Sequence, residues 1–251
     1  MTEAKPSAIR GIMLIVRREL RQYFTTWSGY VITALMLLIS GLLYNVFAIG
    51  SSPQYSSDVL AQFLYFQSGV TVVAALFFSM RLIAEERDKG TLPLLATSPL
   101  SDGQIIFAKF LSVILFLTIF LILTLPMPAL IFLNGKVAIS HIAVGYLGLL
   151  LIGSATCAIG VFGSALVSSQ VVAIIISAVI TVTLITLWYT ARIADGWLSD
   201  VLEYLSLHNK HFLPFMDGTV SVTQVVFYLS MSAFFLVLAR NALEAQRWRA
   251  S

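Results

Sequence analysis

Six apolar runs, each of about twenty residues, leave this 251-residue chain few ways to fold. A helix needs roughly 20 such residues to cross a bilayer. The composition agrees: 59% of the residues are hydrophobic, 11% are charged, and the mean hydropathy is +0.92. A soluble domain carries about a quarter charged residues. This chain cannot cover a water-facing surface, so it reads as an integral membrane protein with little length left for a separate soluble domain. The expected fold is an all-α membrane protein of six transmembrane helices, one domain over residues 1–251.

The expected spans are about 30–50, 61–82, 104–133, 142–167, 171–189 and 222–243. Pro126-Met127-Pro128 should kink or end the third near its outer end. Asn134-Gly135-Lys136 reads as a turn, and Ser168-Ser169-Gln170 as a tight connection. Twelve of the fifteen Lys and Arg fall on one side of these spans: Lys5, Arg10, Arg17, Arg18 and Arg21 before the first, Arg81, Arg87, Lys89 and Lys109 around the second connection, and Arg240, Arg247 and Arg249 at the end. The positive-inside rule then puts both termini and that connection in the cytoplasm, and an even number of spans agrees in placing the termini on one side. Basic residues gathered at span ends set orientation; they do not form a nucleic-acid surface. The N-terminal MTEAKPSAIRG is expected not to be a signal peptide, since no short apolar core with a small-residue cleavage site follows it.

Residues 7–27 carry Ile9, Ile12, Met13, Val16, Leu20 and Tyr23 at three- and four-residue steps. Arg10, Arg17, Arg18 and Arg21 fall largely on the remaining face. This is the pattern of an amphipathic helix lying at the membrane interface, and so many arginines exclude a span. In residues 190–221, Leu198, Val201, Leu202 and Leu205 recur at helical steps opposite Asp200 and Glu203, with Asp195 as the expected N-cap. That stretch reads either as an amphipathic or re-entrant helix or as a surface loop.

Chemistry is sparse. The span interiors hold almost no ionisable groups, and ion-coupled transporters keep such groups on their pathways. The energy for any work therefore has to come from a partner, or the chain conducts passively. There is no G-x-x-x-x-G-K-[ST] phosphate loop and no H-E-x-x-H zinc motif. Gly163-Ser164 lies within a span, but no later span supplies a histidine base for a serine peptidase. The single Cys157 supports neither a disulfide framework nor a cysteine metal site. His208 and His211 have a spacing that one helix face could present to a metal; the plainer expectation is a solvated or interfacial loop. Thr156, Gly160 and Ser164 form a small-residue ridge, suited to close packing within the chain or against a second subunit. Asn45, Gln67, Thr71 and Thr181 are weakly polar candidates for a transport pathway.

The most informative charged stretch is residues 83–103. Glu85-Glu86-Arg87-Asp88-Lys89 is a mixed-sign cluster in which Glu85 and Lys89 stand four apart, so the second span should run on as helix past the membrane. Gly90 should stop it. Thr91 should cap a short helix bearing Leu92, Leu94 and Leu95, with Pro93 in its first turn, and Ser98-Pro99 should break it. Ser101-x-x-Gln104 has capping-box spacing and should open the third span. A short apolar helix held between two spans is a surface that a soluble motor could push. It could equally be a loop that merely closes the bundle.

The pattern E-E-R-x-K-G-T-L-x-L-L-x-x-S-P-L-S, with Lys109 eight residues on, resembles the signature after the second span of ABC-2 type transporter permeases. The basic N-terminal helix, the six spans and the helical interruption before the last agree with it along the full length. YLSLHNKHFLPFMDGTVSVTQVVFYLS, with Gly218 before the final span, is similar to the gliding-motility-associated branch of that superfamily. The resemblance implies a permease without a catalytic site that binds no cofactor itself and pairs with a cytoplasmic ABC ATPase carrying ATP and Mg²⁺. It implies a second permease chain, expected to be an identical copy, and a membrane-anchored accessory protein with an extracytoplasmic domain. It implies a multi-pass protein of the bacterial inner membrane, working in export or extrusion, or passing force to the accessory protein without moving a substrate. Residues 90–99 would be the coupling helix on the ATPase, with Glu85, Glu86, Arg87, Gly90, Thr91, Leu92, Leu94, Leu95, Ser98 and Pro99 as coupling residues. Residues 7–27, with Arg17, Arg18 and Arg21, would be the elbow helix.

Overall fold

A computed structural model describes residues 8–49, 55–91, 100–134 and 137–250. Those residues are helical with short connections, and none is in a strand. Six helical stretches are long and apolar enough to cross a membrane: Trp27–Phe47, Ser56–Asp88, Asp102–Leu133, Ile139–Leu166, Gln170–Ala191 and Val222–Ala245. The expected all-α, six-span architecture is what the chain adopts.

Helix α1 (Ala8–Thr25) leads into α2 (Trp27–Leu43), which ends in a wider π-helical turn, Tyr44–Ile49. Next come α3 (Ser56–Ser79) and the short α4 (Ala84–Asp88). Then α5 (Asp102–Thr124) and α6 (Pro126–Asn134) share one span, broken where Pro126 lacks an N–H. The proline interrupts the third span without ending it. After α7 (Ile139–Leu166) and α8 (Gln170–Ala191), two short helices, α9 (Trp197–Leu205) and α10 (Asn209–Met216), precede α11 (Val222–Ala250).

Helix α7 is the axis of the bundle and packs on α3, α5, α8 and α11. Apolar burial does not drive helices together inside lipid, so close backbone approach through small residues matters most. The ridge Thr156, Gly160, Ser164 serves this packing within the chain. A Cβ on Gly160 would overlap the Ser79 side chain on α3, and one on Gly148 would meet Phe215 Cβ of α10 at 2.6 Å. The spans of α3 and α7 are each 67% buried, whereas those of α2 and α8 are 17% buried and turn their apolar faces outward.

The stretch between α8 and α11 is helical and dips back into the bundle. Leu207 N–H donates to the Leu184 carbonyl at 3.1 Å, and Tyr228 Oη–H donates to the Leu207 carbonyl at 2.7 Å. Leu184 lies seven residues inside the end of α8, about 10 Å along the helix at 1.5 Å per residue. Non-helical backbone at that depth is stable because protein groups satisfy it. Asp195 is not the cap of α9; Gly196, at φ +67°, takes that position. A left-handed turn is needed to enter the helix there, and glycine adopts it without steric cost.

Candidate functional site

The charged residues around the second connection gather into one junction where α1, α4 and α5 meet. Arg18 and Glu19 come from α1, Glu85, Glu86 and Lys89 from the end of the second span, and Lys109 from the second turn and beyond of α5. Lys109 is 1% exposed. Its ammonium has three donors and meets three acceptors: Glu19 Oε1 at 2.9 Å, Glu86 Oε1 at 3.1 Å and the Leu82 carbonyl at 2.6 Å. Arg18 pairs with Glu19 at 2.9 Å and also with Glu86. Gln22 Nε2–H donates to Glu85 at 3.1 Å, and Lys89 pairs with Glu85 across the expected helical turn. Burial alone would push the Glu19 carboxyl up, but Lys109 and Arg18 outweigh it and hold it below the usual carboxylate range.

Further contacts fix the junction to the core. The chain breaks from α3 to α4 at Met80–Ile83, and the Ser164 hydroxyl accepts the N–H groups of Ile83 (3.0 Å) and Ala84 (2.9 Å). Ser164 is therefore a structural acceptor. Arg87 donates to the Ala165 carbonyl at the end of α7 (2.8 Å), a favourable place for a cation. Tyr23 donates to the Phe78 carbonyl and stacks on Phe116 at 4.3 Å, with the Arg81 guanidinium 4.1 Å from its ring.

Gly90 ends α4 at φ +65°, as its position after the charged run predicts. Thr91 closes the same turn: its N–H and hydroxyl both donate to the Glu86 carbonyl, at 2.8 and 3.1 Å. Ser101 and Gln104 form the expected capping box at the start of α5. Leu92, Leu94, Leu95, Ser98 and Pro99 lie outside the described residues, as does the helix that Thr91 would begin. Arg17 and Arg21 are exposed on α1.

Glu19 is the residue that pattern reading misses. The buried stripe of α1 is Ile15, Val16, Glu19 and Tyr23, while Ile9 and Met13 are exposed. A carboxylate three residues after Val16 and four before Tyr23, on the protected face, was the available signal. Lys109, five residues after the capping box closes at Gln104, reads in sequence as a flank and is in fact buried.

The four pathway candidates do not come together. Asn45 is exposed on the π-helical turn, and Gln67 and Thr71 are buried, with Thr71 packed near Gly153 of α7. Thr181 alone of the four lines a cavity of about 670 Å³ between α2, α3 and α8, whose walls are mainly apolar, with Ser68, His208 and Asn209 at polar positions.

The histidines are not in a solvated loop. His208 is 9% and His211 1% exposed. The re-entrant backbone carries both inward, and they point to different partners. His208 Nε2 is hydrogen-bonded to the Ser68 hydroxyl at 2.7 Å, and its Nδ1 lies 3.3 Å from Asn209 Oδ1. His211 Nε2–H donates to the Tyr204 carbonyl at 2.8 Å, and its ring stacks on Phe227. No group of three candidate metal ligands occurs among the described residues. Burial holds both imidazoles below the ordinary histidine value; Asn209 offsets part of this at His208, while at His211 the Tyr204 carbonyl opposes it and Lys210 adds to it. The unfolded chain therefore binds protons that the folded chain refuses. Stability is full above the unfolded value of about 6.5 and falls as the pH drops below it. The melting temperature in detergent should be level from about pH 8 to 6.5 and decline below, with His208→Gln/His211→Gln flattening the decline. A parental curve level down to about pH 5 contradicts this.

The junction ties the two roots of the charged connection to the N-terminal helix, inside a bundle with six helical stretches long enough to span a membrane. The model for the ABC-2 family transporter protein matches residues 13–247. The chain belongs to the ABC-2 transporter family. A search of curated proteins finds no match. Family membership makes the chain a multi-pass membrane permease subunit of an ABC transporter. Such transmembrane subunits normally have no catalytic site of their own, and the family implies a cytoplasmic ABC ATPase as partner.

Proposed function

We propose that this ABC-2 permease takes the ATPase stroke on its 90–99 segment and drives export or extrusion across a bacterial inner membrane. Lys109 carries this reading. It joins the helix end before the segment, through Glu86, to the helix that follows it, and joins both to α1 through Glu19. A push on the hairpin would then move α1, α4 and α5 together instead of bending a loose loop. Residues 8–25 act as the elbow helix, and Leu92, Leu94 and Leu95 as the apolar surface that enters the ATPase, which holds the ATP and Mg²⁺. The concentration of Lys and Arg on the side of the termini supports a cytoplasmic location for both. Six spans are few for an exporter, so a second permease chain completes the unit, and the family resemblance favours an identical copy.

The apolar walls of the cavity beside Thr181 favour a second reading, in which the partner ATPase works an accessory protein with an extracytoplasmic domain and no substrate moves. The similarity of residues 204–230 to the gliding-motility branch agrees with that reading.

The experiment is affinity purification from the native membrane in mild detergent, comparing the parent with Leu94→Asp/Leu95→Asp. The parent is expected to bring down an ABC ATPase, and the variant to lose it about tenfold or more, as a charge in a desolvated anchor costs 1.4 kcal/mol or more. Further membrane proteins in the parent sample identify the accessory partner. Equal ATPase recovery from both overturns the assignment of residues 90–99, and no ATPase from the parent overturns the coupling reading.

A further inference from the structure

A cavity of about 260 Å³ opens between α1 and the end of the second span, and Arg81 lines it beside Arg18, Gln22, Glu85, Glu86 and Thr91. The charges around it do not balance. Its walls, with Lys109 behind them, contain four cations (Arg18, Arg81, Lys89, Lys109) and three carboxylates (Glu19, Glu85, Glu86). Each carboxylate is paired: Glu19 with Arg18 and Lys109, Glu86 with the same two, and Glu85 with Lys89. Arg81 is the cation left over. It is 6% exposed and makes no ion pair among the described residues. Nη1 donates to the hydroxyls of Thr26 (3.2 Å) and Ser28 (3.3 Å), and the guanidinium lies over the Tyr23 ring at 4.1 Å, while Nε and Nη2 are buried with no hydrogen-bond acceptor. A buried charge is costly unless paired and hydrogen-bonded. The free Nε and Nη2 are the adjacent donors that a guanidinium uses to grip an oxyanion through two parallel bonds.

The surroundings indicate which oxyanion. Arg18 also lines a neighbouring open groove of about 960 Å³, together with Arg17, Arg21, Met13, Leu14 and Leu115. Arginines beside exposed methionine and leucine suit the phosphate of an amphiphile lying at the membrane surface. We propose that Arg81 holds a phosphate group in this cavity by turning its buried Nε and Nη2 onto it, the group being approached along the Arg17–Arg21 groove, with a phospholipid headgroup as its source. An occupant there would neutralise Arg81 and wedge between α1 and the hairpin root. The site would thus sense the lipid surface independently of which ATPase binds.

The test uses the full chain in neutral detergent and follows the melting temperature in three titrations: inorganic phosphate, with chloride at matched ionic strength as reference; phosphatidic acid mixed into the micelles; and phosphatidylcholine mixed likewise. Parent protein is expected to gain about 2–4 °C, saturably, from phosphatidic acid, the shift that about 1 kcal/mol gives a chain of this size. Arg81→Gln should abolish the gain. Arg81→Lys, which keeps the charge and a folded junction but loses the fork, should need about tenfold more lipid for the same gain. Arg192→Gln, exposed at the end of α8 and outside both the cavity and the groove, should change the gain little. A saturable response to inorganic phosphate and not to lipid assigns the site to the free ion and keeps the phosphate chemistry. No saturable response to either, or equal gains in parent and both Arg81 variants, overturns the proposal. A response only when the ATPase is co-purified overturns it as well, in favour of a partner carboxylate on Arg81.

Discussion

Lys109→Met is expected to destabilise the protein by about 3–5 kcal/mol, the cost of stranding a buried charge when one partner of an ion pair is removed. Glu19 is 3% exposed and would keep only Arg18, whose side chain is half in solvent. The Leu82 carbonyl, in the non-helical stretch before α4, would also lose its donor. The contrast that isolates the charge is Glu19→Leu/Lys109→Met. With both charges gone Glu86 retains Arg18, and most of the loss should be recovered. The measurement is thermal and denaturant unfolding in detergent for the two single variants and the double. A Lys109→Met protein within about 1 kcal/mol of the parent would show that water, not Lys109, compensates Glu19. The pH dependence gives a second readout. Because the Glu19 carboxyl is held below its ordinary value of about 4.3, its contribution is complete above that value and is lost as pH falls through the lower, folded value. Removing Lys109 takes away one of the two cations that depress it, so acid unfolding should begin at higher pH.

Gly160→Ala is expected to cost about 3 kcal/mol, the upper end of the range for overpacking a tight core. The added methyl would fall on the Ser79 side chain, and Ser79 Cβ would stand only 2.7 Å from it. Ser79 cannot swing aside without breaking its bonds to the Ala75 and Leu76 carbonyls. The backbones of α3 and α7 would have to separate, and with them the Ser164 contact that completes the start of α4. Ser79→Gly in the same chain should restore most of the stability by vacating the space. Gly69→Ala, where a Cβ would meet nothing within 4 Å, should be close to neutral. Size-exclusion profile and melting temperature separate these outcomes, and a Gly160→Ala protein as stable as Gly69→Ala would refute the close approach.

Much of the architecture is legible in the chain because lipid leaves few choices. Apolar runs of spanning length become helices, and Pro126, Gly90 and the Ser101–Gln104 pair interrupt, stop and start them through local backbone chemistry that needs no neighbours. The Glu85–Lys89 pair is local for the same reason. The elements that sequence reading mistakes are those whose environment comes from far away. Asp195 looks like a cap, but the way the chain re-enters the bundle makes Gly196 the residue that turns. His208 and His211 look solvated in a polar tetrapeptide, but Leu184 and Tyr228 draw the backbone inward and bury them. Glu19 looks like one charge among arginines. It is buried because Lys109, ninety residues away, meets it there.

By itself, then, the sequence determined an all-α membrane protein of six spans, the ends of several helices, and a charged hairpin between the second and third. Hydropathy and backbone chemistry act over one or two helical turns. The tertiary structure decided which charges are buried and with whom: Lys109 with Glu19 and Glu86, Arg81 left unpaired, Ser164 under the root of the hairpin. Those outcomes depend on how three helices approach one another, and no spacing within a single helix encodes that approach.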